Sequence, residues 1–178
     1  FTRFYADWYR RHLMAAVAVG DFDPAKIVEL IKSHFSDVPA KPNARARAKY
    51  GVPDQDSTLV AIATDKEAEY TRASISFKMP PRQSSTVGGY RMDLTEGLFS
   101  MMLNDRLDEI RQKPDAPFIG AGGGKSNFLG DRDAFTLTAF VPDGGVLKGL
   151  DAVLAEAIRL QKHGFTATEL DRAKQNLL

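Results

Sequence analysis

Cysteine is absent from the 178 residues, and histidine occurs only three times. The lack of cysteine excludes disulfides, thiol catalysis and cysteine-ligated zinc within this sequence, and it leaves the compartment open because cysteine-free proteins occur in reducing and oxidising places. His12, His34 and His163 are far apart, and none stands in His-Glu-x-x-His or in the inverted His-x-x-Glu-His spacing. The sequence therefore predicts no metal site of its own.

Long apolar runs and an excess of one charge are also missing. No run approaches the roughly 20 residues that span a bilayer, and the pattern of a signal peptide is absent. The 24 basic and 23 acidic residues leave a net charge of +1, which gives no reason to expect nucleic acid. The basic residues of the proline-containing connector, Lys41, Arg45, Arg47 and Lys49, are interpreted as a solvated loop.

The apolar content of 43% suffices for a buried core, and we expect residues 1–178 to form a single domain. The chain begins at Phe1 rather than Met, and the helical pattern is still running at Leu178. We therefore expect a fragment of a longer polypeptide.

A strand followed by a helix is predicted near the start of the chain. Residues 14–19 are apolar and end at a Gly-Asp turn, which favours a buried strand. Asp23 is placed to cap the next helix, and Pro24 suits its first position. Apolar residues at helical spacing then continue to Phe35.

The remaining pattern predicts alternating strand pairs and amphipathic helices. Thr166 and Glu169 form a capping box at the start of the last helix, and Gly164 is a C-terminal cap for the helix before it. Two consecutive strand pairs suggest antiparallel pairing, so the expected fold class is α+β, a two-layer sandwich with helices on one face. The predicted helices are 1–11, 24–35, 89–112, 146–162 and one from 166, and the predicted strands are 14–19, 58–64, 72–79, 118–129 and 134–141.

The run Gly120 to Ser126, GAGGGKS, resembles a phosphate-binding loop but has the wrong spacing, because the first required glycine is Ile119 and no helix follows. A strand of small residues that another group approaches closely is the better interpretation. The acidic pairs of the sequence all have local uses in caps, turns or helix ion pairs.

Three stretches together carry a family resemblance: FYADWYRRHLMAAVAVGDFDPAKIVELIKSHF, MMLNDRLDEIRQKPDAPFIGAG and HGFTATELDRAKQNLL. In order and spacing they resemble the second, non-catalytic domain of the pitrilysin/insulinase-type (inverzincin) zinc metallopeptidases. The amino-acid sequence of these stretches is more similar to that of the long, two-half bacterial zinc proteases than to that of the mitochondrial processing peptidases. The resemblance covers essentially the whole chain.

The resemblance implies a structural domain that walls the substrate chamber of a zinc-dependent metalloendopeptidase. The partners would be a preceding domain with His-x-x-Glu-His and zinc, the C-terminal half of the same parent chain and a peptide substrate, in the periplasm or another extracytoplasmic place. It also aligns Arg111 and Phe118 with an Arg and a Tyr that hold the substrate backbone in the C-terminal half of such enzymes. Phe118 lacks the hydroxyl, so a helix-terminal Arg and a core Phe are the alternative.

Two other classes of function stay open at this point. One is a metal-free structural or partner-binding homologue of the same family. The other is a free-standing α+β ligand-binding module. The sequence that precedes Phe1 would distinguish them, because only the peptidase requires a metal-binding motif there.

Overall fold

The computed structural model describes residues 1–10, 13–38, 45–82 and 84–177. They fall into two compact units, residues 1–49 and residues 50–178, which are described separately. The prediction of one domain over residues 1–178 stays a prediction.

The first unit contains two helices, α1 (Thr2–Trp8) and α2 (Pro24–Phe35). The predicted start of α2 is confirmed, because the Ala25 amide donates to Asp23 Oδ1 at 2.8 Å and Pro24 is the first helical residue. Neither helix contains a buried residue. The guanidinium groups of Arg10 and Arg45 both lie over the Trp8 ring, 5.7 and 5.8 Å from its centre.

The second unit is built on a three-stranded antiparallel sheet. Its strands are β1 (Thr71–Met79), β2 (Gly120–Leu129) and β3 (Arg132–Val141), and β3 lies in the centre. Ile75 is opposite Leu137 on one side of β3, and Gly123 is opposite Leu137 on the other. The predicted strands 72–79, 118–129 and 134–141 are therefore confirmed within a few residues.

Three helices accompany this sheet: α3 (Val87–Arg111), α4 (Val146–His163) and α5 (Ala167–Leu177). The core lies between the helices and one face of β3, and it includes Leu103, Leu107, Leu137, Val141 and Val153. The opposite face carries hydroxyl groups, with Ser74 bonded to Thr138 and Ser76 to Thr136, both at 3.0 Å. This is the α+β two-layer arrangement that the sequence predicts.

Side chains and backbone end the helices where the sequence places caps. The Glu169 amide donates to Thr166 Oγ1 at 3.3 Å and the Thr166 amide to Glu169 Oε2 at 2.6 Å, so the capping box is confirmed. Gly164 follows α4 with a φ of 65°, a conformation that favours glycine. Among the helices of the described ranges, none is long and apolar enough to cross a membrane.

Two predicted strands are wrong. Residues 14–19 and 58–64 are outside any strand, and Val17, Val19, Val60 and Ile62 are 80% to 93% exposed. A strand needs a partner for its backbone groups, and an apolar run does not specify one. Residues 54–61 instead line a groove of about 710 Å³ together with Ser74–Lys78 of β1 and Leu150, without joining the ladder.

Candidate functional site

A groove of about 530 Å³ lies between α3 and the edge strand β2. Polar residues and glycines line most of it. One wall is the outer side of β2 from Gly123 to Asn127, and the other is a single face of α3 with Asp93, Glu96, Ser100 and Asn104. Arg82 and Asp133 complete the lining.

The charged groups of this groove are paired with each other. Lys125 Nζ lies 3.2 Å from Glu96 Oε2 and 3.3 Å from Asp133 Oδ2. Arg82 Nη2 donates to the other oxygen of Glu96 at 2.6 Å, and its Nη1 lies 3.9 Å from Asp93. These ion pairs hold the charged side chains of the groove in place.

An apolar recess of about 250 Å³ adjoins the groove and shares Glu96, Ser100 and Lys125 with it. Its apolar lining is Met79, Phe99 and Phe135. The rings of Phe99 and Phe135 meet edge to face, with their centres 6.0 Å apart. The aliphatic part of Lys125 thus packs among aromatic rings while its ammonium group faces carboxylates.

The glycine run of β2 serves the close approach of a helix, as the sequence predicts. A Cβ atom at Gly123 would lie 2.6 Å from Leu103 Cδ2 and 2.7 Å from Leu137 Cδ2. The Gly123 amide donates to Asn104 Oδ1 at 2.8 Å, so α3 also satisfies part of the outer edge of β2. The glycine run therefore allows close packing and does not have the geometry of a phosphate-binding loop.

A second polar cluster lies between the helices and was missed by sequence reasoning. Arg106 on α3 is 8% exposed, and its guanidinium donates to Glu156 on α4 at 3.1 Å and to Glu169 on α5 at 2.5 and 2.9 Å. Its Nη2 also donates to the Gly164 carbonyl at 3.1 Å, and the Phe165 ring lies 5.1 Å from its Cζ. The sequence offers one indication of this cluster, because Arg106 lies one helical turn after Met102 and Leu103, which are also buried.

The Arg106 cluster perturbs the ionisation of its members. The hydrogen bonds from Arg106 lower the pKa of Glu169 to about 2, against the opposing effect of burial. The same bonds raise the pKa of Arg106, so its charge is fixed. Each guanidinium nitrogen of Arg106 donates to an acceptor outside α3, on Glu156, Glu169 or the Gly164 carbonyl, which marks the cluster as structural rather than catalytic.

The two predicted substrate-contact residues lie in different environments. Arg111 is at the end of α3, where its Nε donates to Asp108 Oδ1 at 2.6 Å; this pairing lowers the pKa of Asp108. Phe118 is 3% exposed and belongs to the core. Their substrate contact stays a prediction, and for Phe118 it would require the core to open.

The described part of the chain contains no group of three or more His, Cys, Asp or Glu side chains that could hold a metal ion. His34 is in α2 and His163 ends α4, both exposed, while His12 lies outside the described residues. The residues that are described therefore do not fit a zinc ion.

Comparison with protein families matches residues 1–177 to the model described as "Peptidase M16 inactive domain". The chain is 38% identical over 118 residues, or 66% of its length, to the "Zinc protease PQQL-like" of Arabidopsis thaliana, and 25% identical over 177 residues, or 99% of its length, to the "Probable zinc protease PqqL" of Escherichia coli. It spans 12% and 19% of those two proteins.

Solved structures show the same fold. The crystal structure of the periplasmic protease PqqL from Escherichia coli superposes with a TM-score of 0.77 at 24% identity, over 98% of this chain and 19% of that one. A predicted insulinase family protease from Yersinia pestis superposes with a TM-score of 0.73 at 18% identity, over 98% of this chain and 38% of that one.

Proposed function

Because the chain belongs to the family of inactive domains of M16 peptidases, we propose that it is a non-catalytic domain that walls the substrate chamber of a longer zinc-dependent metalloendopeptidase. The parent would hydrolyse peptide bonds, and this domain would shape the space in which the peptide lies. The relatives are named as zinc proteases and are much longer than this chain, which supports the proposal.

The observation that carries the proposal is the division of the sheet into two unlike faces. The core and the helices occupy one face. The other face presents hydroxyl-bearing residues together with Arg72, Lys78 and Phe140, and Ser74 and Ser76 are exposed there. Such a face offers hydrogen bonds along its length without selecting one side chain, which suits a wall that contacts varied peptides.

Zinc would belong to another part of the parent. There it would polarise the peptide carbonyl and lower the pKa of a bound water. The residues of this chain would contribute binding surface and rigidity, since the ion pairs of the groove and of the Arg106 cluster are all internal. The partners would thus be a preceding zinc-bearing domain, the C-terminal half of the same chain and the peptide.

The compartment of this protein is part of the same proposal. PqqL of Escherichia coli, whose structure has the same fold, is a periplasmic protease. A chain without cysteine has no thiols to be oxidised there. We propose a periplasmic or other extracytoplasmic location.

Photo-crosslinking in the full-length protein tests the chamber wall. A photoreactive residue at Ser76, on the hydroxyl face, should capture a peptide in chelator-treated protein. The matched control places the same residue at Leu147 on α4, which is 81% exposed but belongs to the helix layer. Capture at position 76 alone supports the wall, while equal capture at both positions or capture only at position 147 contradicts it.

The alternative, a metal-free homologue that binds partners, predicts a different result in the same experiment. Peptide would be captured at position 76 but never cleaved after zinc is restored. Cleavage that returns with zinc separates the peptidase from that alternative.

A further inference from the structure

The hydroxyl face of the sheet carries charges of one sign. It consists of the even-numbered residues of β1 and β3, 72–78 and 132–140, which are paired across the ladder. Its charged residues are Arg72, Lys78 and Arg132, and none of the residues on this face is acidic. The hydroxyl groups do not select one side chain of a peptide, but positive charges on the same face favour an acidic peptide over a basic one.

The three cations of the hydroxyl face differ in their partners. Arg132 pairs with Asp54 at 3.1 Å, and the ammonium group of Lys78 donates to a backbone carbonyl of the connector before β1. Arg72 lies at the opposite end of β1 from Lys78 and is exposed. Its Nε donates to Ser74 Oγ at 3.2 Å, and this neutral oxygen is its one partner within the described ranges. Arg72 is therefore the cation of this face that is open to a carboxylate.

The hydroxyl pairs beside Arg72 add hydrogen-bond donors. The hydroxyl oxygens of Ser74 and Thr138 are 3.0 Å apart, as are those of Ser76 and Thr136. Within each pair one hydroxyl donates to the other, so the second O–H group is free to donate to a ligand. The Nη groups of Arg72 are also free to donate. This end of the face thus offers charged and neutral donors together, which suits the two acceptor oxygens of a carboxylate.

An aromatic pair borders Arg72 on the same face. Phe140 is the register partner of Arg72, and the Tyr70 ring meets the Phe140 ring edge to face, with their centres 5.3 Å apart. Tyr70 is 57% exposed. On the other side of Phe140 lies Gly120, where a Cβ atom would be 3.8 Å from Phe140 Cδ2, so no side chain covers the ring from β2. An apolar side chain next to a bound carboxylate can pack on these two rings.

We propose that Arg72 and the neighbouring hydroxyl groups bind a carboxylate side chain of the peptide, while Tyr70 and Phe140 contact an apolar residue beside it. The wall of the chamber then prefers acidic peptides. This inference rests on the proposed function and deepens it, because it names the class of substrate. Since water reaches Arg72, its ion pair changes the affinity by about fivefold at most. Arg72 therefore selects between peptides and does not supply most of the binding energy.

Binding of fluorescent peptides to chelator-treated full-length protein tests the preference. Three peptides differ only at their centre, which is Glu-Phe-Glu, Gln-Phe-Gln or Lys-Phe-Lys, and fluorescence anisotropy measures the affinity of each. The acidic peptide should bind about fivefold more tightly than the neutral one, and the basic peptide should bind most weakly. The difference should shrink as salt is added, because salt screens an exposed ion pair. Equal affinities for all three, or tightest binding of the basic peptide, would overturn the inference.

Matched variants assign the preference to one residue. Arg72→Gln should abolish the difference between the acidic and neutral peptides, and Arg72→Lys should keep part of it, since lysine retains the charge but not the planar set of donors. The control is Arg91→Gln on α3, because Arg91 is also exposed and has no ion pair within the described ranges. This variant should keep the full preference. An acidic preference that survives Arg72→Gln would refute the role of Arg72.

Peptide cleavage after zinc is restored to the same samples separates this inference from the proposed function. A protein that cleaves peptides but binds all three with equal affinity keeps the proposed function and loses the acidic preference. A protein that prefers the acidic peptide through Arg72 but never cleaves keeps the binding site and loses the peptidase. Wild-type protein that binds none of the three peptides contradicts both.

Discussion

Arg106 joins three helices through one guanidinium group. Its partners Glu156 and Glu169 are 4% and 17% exposed at their side chains, so the cluster is largely removed from water. An unpaired carboxylate at such a site is strongly destabilising, although the intact pair contributes little compared with apolar packing.

Replacing Arg106 by Met should lower the free energy of unfolding by roughly 3–5 kcal/mol, because Glu169 would lose its guanidinium partner and the buried Glu156 would keep only the exposed Arg159, at 3.4 Å. Arg111→Met, on the same helix in an exposed pair, should leave the midpoint of urea unfolding nearly unchanged. The double variant Arg106→Met, Glu156→Gln should recover part of the lost free energy of unfolding, since it removes the buried charge of Glu156. A single variant as stable as the wild type would show that the cluster is open to solvent.

The pH dependence of stability should report the same cluster. The pKa of Glu169 is lowered from 4.5 to about 2 in the folded state, so its contribution is present above pH 4.5 and is lost as the pH falls towards 2. Wild-type protein should lose stability in that window more steeply than Glu169→Gln, whose amide does not titrate. Thermal unfolding of both proteins between pH 5 and pH 2.5 measures the difference, and parallel curves would argue against the depressed pKa.

Helix α4 approaches the sheet at a glycine. A Cβ atom at Gly149 would lie 2.4 Å from Val141 Cγ1 and 3.3 Å from the Ala139 Cβ, so the contact leaves no room for a methyl group. The same pattern at Gly123 lets Leu103 of α3 reach β2. Two glycines therefore set the distance between the layers.

Gly149→Ala should destabilise the protein by about 1–3 kcal/mol through overpacking. The matched control is Gly97→Ala within α3, where a Cβ atom would meet nothing within 4 Å. That change should stabilise by about 0.5–1 kcal/mol, because alanine loses less backbone entropy in a helix. Chemical denaturation of both variants measures the two changes in the free energy of unfolding. If these changes have the same sign at both positions, Gly149 does not set the distance between the layers.

The elements that the sequence predicts correctly are those with local signals. The last helix has its capping box, α2 has Asp23 and Pro24, and β3 alternates between apolar and polar residues. Residues 14–19 and 58–64 were predicted wrongly because their apolar runs depend on a partner strand that local sequence does not name. The Arg106 cluster escaped prediction because its carboxylates lie 50 and 63 residues away in sequence.

On the scale of the whole molecule, the two units differ in apolar burial. Among the described residues, twelve buried apolar side chains lie in the second unit, where they stabilise its sheet and helices, and none lies in the first. The first exposes Val17, Val19 and Phe35. This contrast agrees with the division of the chain into two compact units.

The folded chain should not depend on zinc. Its three histidines are far apart in sequence, and it has no cysteine to supply a thiolate. Dialysis against a chelator should leave both the melting temperature and the metal content, measured by elemental analysis of untagged protein, unchanged. Stoichiometric zinc that survives dialysis, or a fall in melting temperature with chelator, would reveal a metal site.

We propose that this chain is a non-catalytic domain of a zinc peptidase. A chelator-sensitive peptidase assay with a broad peptide library, run on the chain alone and on the full-length protein, tests it most directly. We predict no cleavage by the chain and cleavage by the full-length protein that stops with chelator and returns with zinc. Cleavage by the chain alone, or none by the zinc-loaded full-length protein, would contradict the account.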